Sequence, residues 1–201
     1  MKSPLQNFMI SKTRAKLVEL FFAQSEELFY VRQITREIHE EINAVRRELD
    51  KMLDYGLLKS EERGNRVYYF LNKRYVFYDE LLKMVVKSTG LGQKIRRLRK
   101  KIGNLDFVMF SAKFVKKIKP EREEVEILVI GDIVLPELQA LVKEEEKALG
   151  REINYAVFDK QEFEFRKTRR DPFIMDLLMN SRVMLIGGEE EFALRKKPGL
   201  E

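Results

Sequence analysis

The sequence predicts two joined modules, an α+β unit at the N-terminus and a small α/β unit with a mixed sheet behind it. Three observations carry this. Apolar residues recur at helical spacing through residues 11–55 and then give way to a β-rich run over 57–71. After residue 105 short apolar strands alternate with helical stretches, the pattern of an α/β layer. Charge also divides along the chain, with +3 over residues 1–74, +9 over 75–120 and −6 over 121–201. We therefore place one domain at 1–74, connector and basic helices at 75–104, and the second domain at 105–201.

Composition narrows the chemistry before any motif is read. A chain of 201 residues that is 44% hydrophobic can bury one large core or two modest ones. The absence of cysteine removes disulfide scaffolds, thiolate nucleophiles and zinc–thiolate sites, and the single histidine, His39, leaves no histidine-based metal site or triad. The eight methionines are scattered over apolar faces and read as core fillers. A net charge of +6 points toward a polyanionic partner. The opening stretch MKSPLQNFMISKTR has no apolar centre for a signal peptide, and no run approaches the roughly 18 apolar residues of a membrane span. The expectation is a cytoplasmic protein without a membrane partner.

In the first module, Ala15, Leu17, Val18, Leu20, Phe21 and Phe22 make a helical stripe that Ser11 can cap. A break over 25–30 is followed by VRQITREI, where Val31, Ile34 and Ile38 predict a short second helix. In the third helix Ile42, Val45, Leu49, Met52 and Leu53 share one face, leaving Asn43, Arg46, Arg47, Asp50 and Lys51 outward, and Gly56 ends it. LLKSEERGNRVYYFLN then reads as strands at 57–61 and 66–71 around a Gly-Asn turn. By spacing alone, the outward residues suit a solvated face as well as a contact surface.

The segments VRQITREI and NAVRRELDKMLDYGLLKSEERGNRVYYFLN resemble the ArsR-like winged helix-turn-helix of transcriptional regulators, over about residues 11–74. The resemblance implies double-stranded DNA as partner, with the third helix in the major groove, where Arg pairs with guanine and Asn with adenine. It assigns Asn43, Arg46, Arg47 and Lys51 on the helix and Arg63, Asn65 and Arg66 on the wing. It also implies a homodimer joined through the helix at 75–88, for which packing within the chain is the other reading. One departure stands out: where the family has a Gly-apolar-Ser turn, this chain has His39-Glu40-Glu41, two acids near the expected phosphate path. They predict weaker nonspecific affinity or a tilted docking.

Thr89-Gly90-Leu91-Gly92 reads as a flexible joint, and the basic run from Lys94 to Lys101 either contacts phosphates or pairs with the acidic C-terminal part. Beyond it, DFVMFS, VEILVIG, INYAVFD and RVMLIG read as strands, and PELQALVKEEEKALG and DPFIMDLLMNS as helices. This order, with acid-x-acid-apolar-LVIG and DPFIMDLLMNSRVMLIG, resembles the minimal nucleotidyltransferase domain over about residues 90–192. In active members a Gly-Ser motif cradles a nucleoside triphosphate and an Asp-x-Asp pair holds magnesium. Here those positions read Phe110-Ser111, with Val115 for a later glycine, and Glu124 and Glu126. Magnesium demands near-octahedral ligation at about 2.0–2.1 Å, and the extra methylene of glutamate displaces its carboxylate. The expectation is a catalytically degenerate domain without cofactor, used for dimerisation or sensing. The alternatives are a magnesium-dependent enzyme working through Ser111, Glu124 and Glu126, and a protein partner bound by the acidic domain. From the residues alone the two glutamates continue an acidic loop with Glu121 and Glu123 and read as solvated, with Lys113, Lys116, Lys117 and Lys119 as nearest partners.

Overall fold

In the computed structural model, which describes residues 9–121 and 124–194, Ser11 caps the first helix, α1 (Lys12–Ala23), by accepting a bond from the Arg14 amide at 3.2 Å. The opening octapeptide and Glu123 lie outside the described residues. Two compact units result, Met1–Thr89 and Gly90–Glu201. The boundary falls inside the expected 75–104 connector and assigns its two helices to different units.

The first unit continues through β1 (Phe29–Tyr30), α2 (Val31–Ile38), α3 (Ile42–Asp54), β2 (Leu58–Arg63), β3 (Arg66–Leu71) and α4 (Tyr78–Ser88). The expected helices at 31–38 and from 42 onward form with those limits. Their inward residues Ile34, Ile38, Val45, Leu49 and Met52 are buried with Leu17, Val18 and Phe21 of α1, because the 3.6-residue period sets each apolar stripe on one side. The break expected over 25–30 contains β1, a strand of two residues, too short for a periodic signal. It pairs antiparallel with β3, Phe29 against Tyr69 and Tyr30 against Tyr68, so the hairpin becomes a three-stranded sheet in the order β1-β3-β2. Phe29 is held edge-on to Phe21 at 5.6 Å between ring centres. The hairpin closes through the two-residue loop Gly64-Asn65, and Gly64 takes the φ of +59° that glycine tolerates.

The second unit runs α5 (Gly90–Ile102), β4 (Gly103–Ser111), α6 (Ala112–Val115), β5 (Ile127–Ile133), α7 (Leu135–Leu149), β6 (Tyr155–Phe158), α8 (Lys160–Thr168), α9 (Pro172–Met179), β7 (Arg182–Ile186) and α10 (Glu189–Ala193). The expected flexible joint is instead the first turn of α5, since Leu91 and Ile95 are buried and anchor the helix from its start. The sheet is mixed, ordered β6-β5-β4-β7, with β4 antiparallel to β5 and β7 and β5 parallel to β6 through the α7 crossover. One sheet face carries Phe107, Met109, Leu128, Ile130 and Met184 against Phe163, Ile174, Leu177 and Phe192 from α8, α9 and α10. Alternation turns Val108, Phe110, Ile127 and Val129 to the other face, where α5 packs on β4 and β7 and also touches α7. Gly103 and Gly131 let β4 and β5 approach closely: a Cβ at either would lie 2.0 or 2.1 Å from a carbonyl oxygen of the facing strand. No helix among the described residues is long and apolar enough to cross a membrane.

Candidate functional site

Each unit has one place where sequence reasoning concentrates polar chemistry, and the two are built in opposite ways. In the first unit, α3 starts at a cap supplied by Glu41, whose carboxylate accepts from the Asn43 and Ala44 amides at 2.8 and 2.9 Å. Those backbone bonds hold the Glu41 carboxyl below its ordinary pKa, with a smaller contribution from Arg47 and Arg46. Beyond this cap Asn43, Arg46 and Arg47 are exposed, one to four residues apart on the outer side of α3, and neither arginine makes an ion pair among the described residues. Lys51, a turn later, is also exposed and lies 3.6 Å from Glu48, which is buried and bonded to Arg14 at 2.7 Å. Lys51 is thus partly engaged by its own helix.

At the hairpin, Arg63 and Arg66 stand directly opposite each other in the last pair before the turn, with Asn65 exposed between them. Facing like charges cost stability in a sheet. Each guanidinium is held by an aromatic ring: Arg66 lies 4.7 Å from the Tyr30 ring centre and Arg63 5.8 Å from that of Tyr68, while Glu61 pairs with Arg63. Strand β1 is what puts Tyr30 under Arg66.

Between α2, α3 and this hairpin lies an open groove of about 930 Å³. Its lining includes Arg32, Arg36, Arg46 and Arg66 together with Asn65 and Thr35, and among the described residues no carboxylate. Arg32 and Arg36 were missed by sequence reasoning. Their four-residue spacing within VRQITREI, which puts both on one side of α2 away from Ile34 and Ile38, was the available signal.

The acidic turn that departs from the family pattern is explained by local bonding. His39 occupies the left-handed conformation, φ 52°, that ends α2 in place of a glycine. Glu40 turns toward α1, pairing with Lys16 at 2.6 Å and Lys12 at 2.9 Å, and those bonds hold its carboxyl below the ordinary value. Lys16 also donates to the Ile38 carbonyl at 2.6 Å, satisfying the open end of α2. One acid is therefore neutralised by lysines and the other caps a helix.

In the second unit, Ser111 ends β4 and caps α6 by accepting from the Phe114 amide at 3.1 Å, and the Phe110 ring meets that of Phe114 edge-on at 5.0 Å. The reading of both glutamates as solvated charge is corrected for Glu126, whose side chain is 1% exposed. Its carboxylate is gripped by the Arg151 fork at 2.6 and 2.8 Å and accepts from the Asn154 amide at 3.2 Å. A buried carboxylate needs such a partner, and the cation came from the turn after α7 rather than from the preceding lysines. Glu124 does take a lysine from the expected loop, Lys113 at 2.8 Å, which holds its carboxyl below the ordinary value. The hollow beside Ser111 and Glu124 measures about 20 Å³, room for about one water. These residues do not fit a magnesium–triphosphate group: Glu126 is closed by Arg151 and Glu124 by Lys113, and the hollow beside them is too small for it. Among the described residues no group of three or more His, Cys, Asp or Glu is arranged to hold a metal ion.

Comparison with known proteins adds no relative, since no family model, curated protein or solved structure matches this chain.

Proposed function

We propose that the first unit is a winged helix-turn-helix that binds double-stranded DNA, and that the chain is a transcriptional regulator. The observation that carries this reading is the groove whose described lining holds four arginines and no carboxylate, with the exposed outer side of α3 at its edge. In this reading α3 enters the major groove, where Arg46 and Arg47 donate paired bonds to guanine and Asn43 meets adenine. Lys51, Arg63, Asn65 and Arg66 hold phosphates from the helix and the hairpin, and Arg32 and Arg36 add phosphate contacts from α2. The opposed Arg63 and Arg66, unfavourable in the isolated sheet, gain from a polyanion placed against them. The exposed Val76 and Phe77 just before α4 support a homodimer that offers two recognition helices to successive major grooves.

The second unit, in the same reading, has a nucleotidyltransferase-like plan without the transferase chemistry and serves dimerisation or sensing. Its support is the closure of Glu126 by Arg151 and of Glu124 by Lys113.

In vitro selection of bound duplexes at stated salt, followed by Arg46→Ala with Arg47→Ala, tests the first part. The expected result is an enriched site that the double variant no longer prefers; no enrichment at any salt overturns the reading. For the second unit, thermal stabilisation by magnesium and ATP, or transfer of a nucleotide to RNA or protein, would sink the non-catalytic assignment.

A further inference from the structure

We propose that α5 of the second unit is a separate duplex-binding surface that contacts DNA phosphates without reading sequence. This lies outside the α3 groove; it rests on DNA being the partner, not on which residues read its bases. The helix carries Lys94, Arg96, Arg97, Arg99, Lys100 and Lys101 and no acid over its 13 residues. Leu91, Ile95 and Ile102 form its buried stripe, and at 100° per residue Arg97 and Lys100 fall on the side away from it and Lys101 on a flank. All three are exposed, as is Arg99 on the opposite flank, and none of the four makes an ion pair among the described residues. The acidic C-terminal part engages this helix through Lys94, which pairs with Glu144 at 3.1 Å. Among the described residues, pairing within the unit therefore leaves Arg97, Arg99, Lys100 and Lys101 without an acidic partner.

The chemistry of that side selects the ligand. Protein interfaces are rich in aromatic residues and methionine and poor in lysine, and single-stranded nucleic acid is held by stacking on aromatic rings. The outer side of α5 offers neither: its residues at 96, 97, 99, 100 and 101 are all Arg or Lys. Such a surface matches the phosphate backbone of a duplex, where each neutralised phosphate releases condensed counterions and no base edge is read. The dense cations are thus a nonspecific anchor, while the first unit supplies discrimination.

The test uses the full chain carrying Arg97→Gln, Lys100→Gln and Lys101→Gln, with the unfolding midpoint measured to confirm an intact fold. Binding to a random-sequence duplex and to a selected site is followed between about 50 and 200 mM salt. The expected outcome is a log–log salt slope shallower by about 0.9 per lost contact and random-duplex affinity at least about tenfold weaker. The ratio of selected to random binding stays unchanged, and Lys100→Arg with Lys101→Arg retains the slope. An unchanged slope overturns the proposal, as does loss confined to the selected site. Equal binding to polyglutamate would give the surface to an acidic protein and also overturn it. Arg46→Ala with Arg47→Ala separates the two readings: if that variant changes nothing while the α5 variant flattens the slope, the recognition helix fails and the anchor stands. A wild-type chain that binds no duplex at low salt defeats both.

Discussion

The groove of the first unit and the glutamate pair of the second differ in what surrounds their charge. Arg46 and Arg47 are exposed and have no partner carboxylate among the described residues, and Arg63 and Arg66 face each other across a strand pair. Glu126 is buried under a two-pronged arginine bond and Glu124 is taken by Lys113. Unpaired, exposed charge is free to exchange water and counterions for a ligand; charge already paired in a low-dielectric setting can only be stabilising or destabilising to the fold. A charged side chain serves recognition only while it remains available.

That contrast can be broken at several points. The largest effect is expected for Arg46→Ala with Arg47→Ala: losing two paired base contacts at about 1–3 kcal/mol each should weaken binding to a selected site by at least about 30-fold without moving the unfolding midpoint. Titration of labelled duplex together with a melting curve checks both halves. For the second unit the pattern reverses. Arg151→Ala leaves Glu126 buried without its cation and should cost about 3 kcal/mol of stability in denaturant unfolding, while DNA affinity stays the same. Replacing the pair together, Glu126→Gln with Arg151→Met, should restore most of that loss. Of intermediate size, Arg32→Ala or Arg36→Ala should weaken binding evenly across sequences and flatten the salt slope by about 0.9 each; a change in base preference instead would place these residues at base edges.

The smallest effect concerns the acidic turn. Glu40 is held below its unfolded value of about 4.3 by Lys16 and Lys12. Because the folded pKa is depressed, its stabilisation is present above the unfolded pKa and is lost as pH falls through the folded one. Unfolding free energy measured from about pH 5 downward should therefore drop less steeply in Glu40→Gln than in the parent, by at most about 1 kcal/mol after solvent screening.

Much of this was legible from spacing. The stripes Ile34/Ile38 and Val45/Leu49/Met52 located α2 and α3 because burial follows helical period, and the Gly-Asn dipeptide located the hairpin because its φ demands are specific. Helix α8 was missed: Phe163 and Phe165 alternate as in a strand, though the cap signature Asp159-x-x-Glu162, with Asp159 accepting from the Glu162 amide at 2.7 Å, marked its start. The two glycines of Thr89–Gly92 predict a joint, but the Leu91 between them is buried and fixes the segment as helix.

The sequence by itself determined helices α1 to α3, the hairpin and the strands of the second sheet, the division of charge, and the exposure of Asn43, Arg46 and Arg47, since each depends on neighbours within a few residues. Only the tertiary structure decided that Arg32 and Arg36 join Arg46 and Arg66 around one groove, that Glu40 turns to α1, and that Arg151 closes on Glu126. These pairings join residues far apart in the chain, and a local period carries no information about which distant charge arrives to satisfy a buried one.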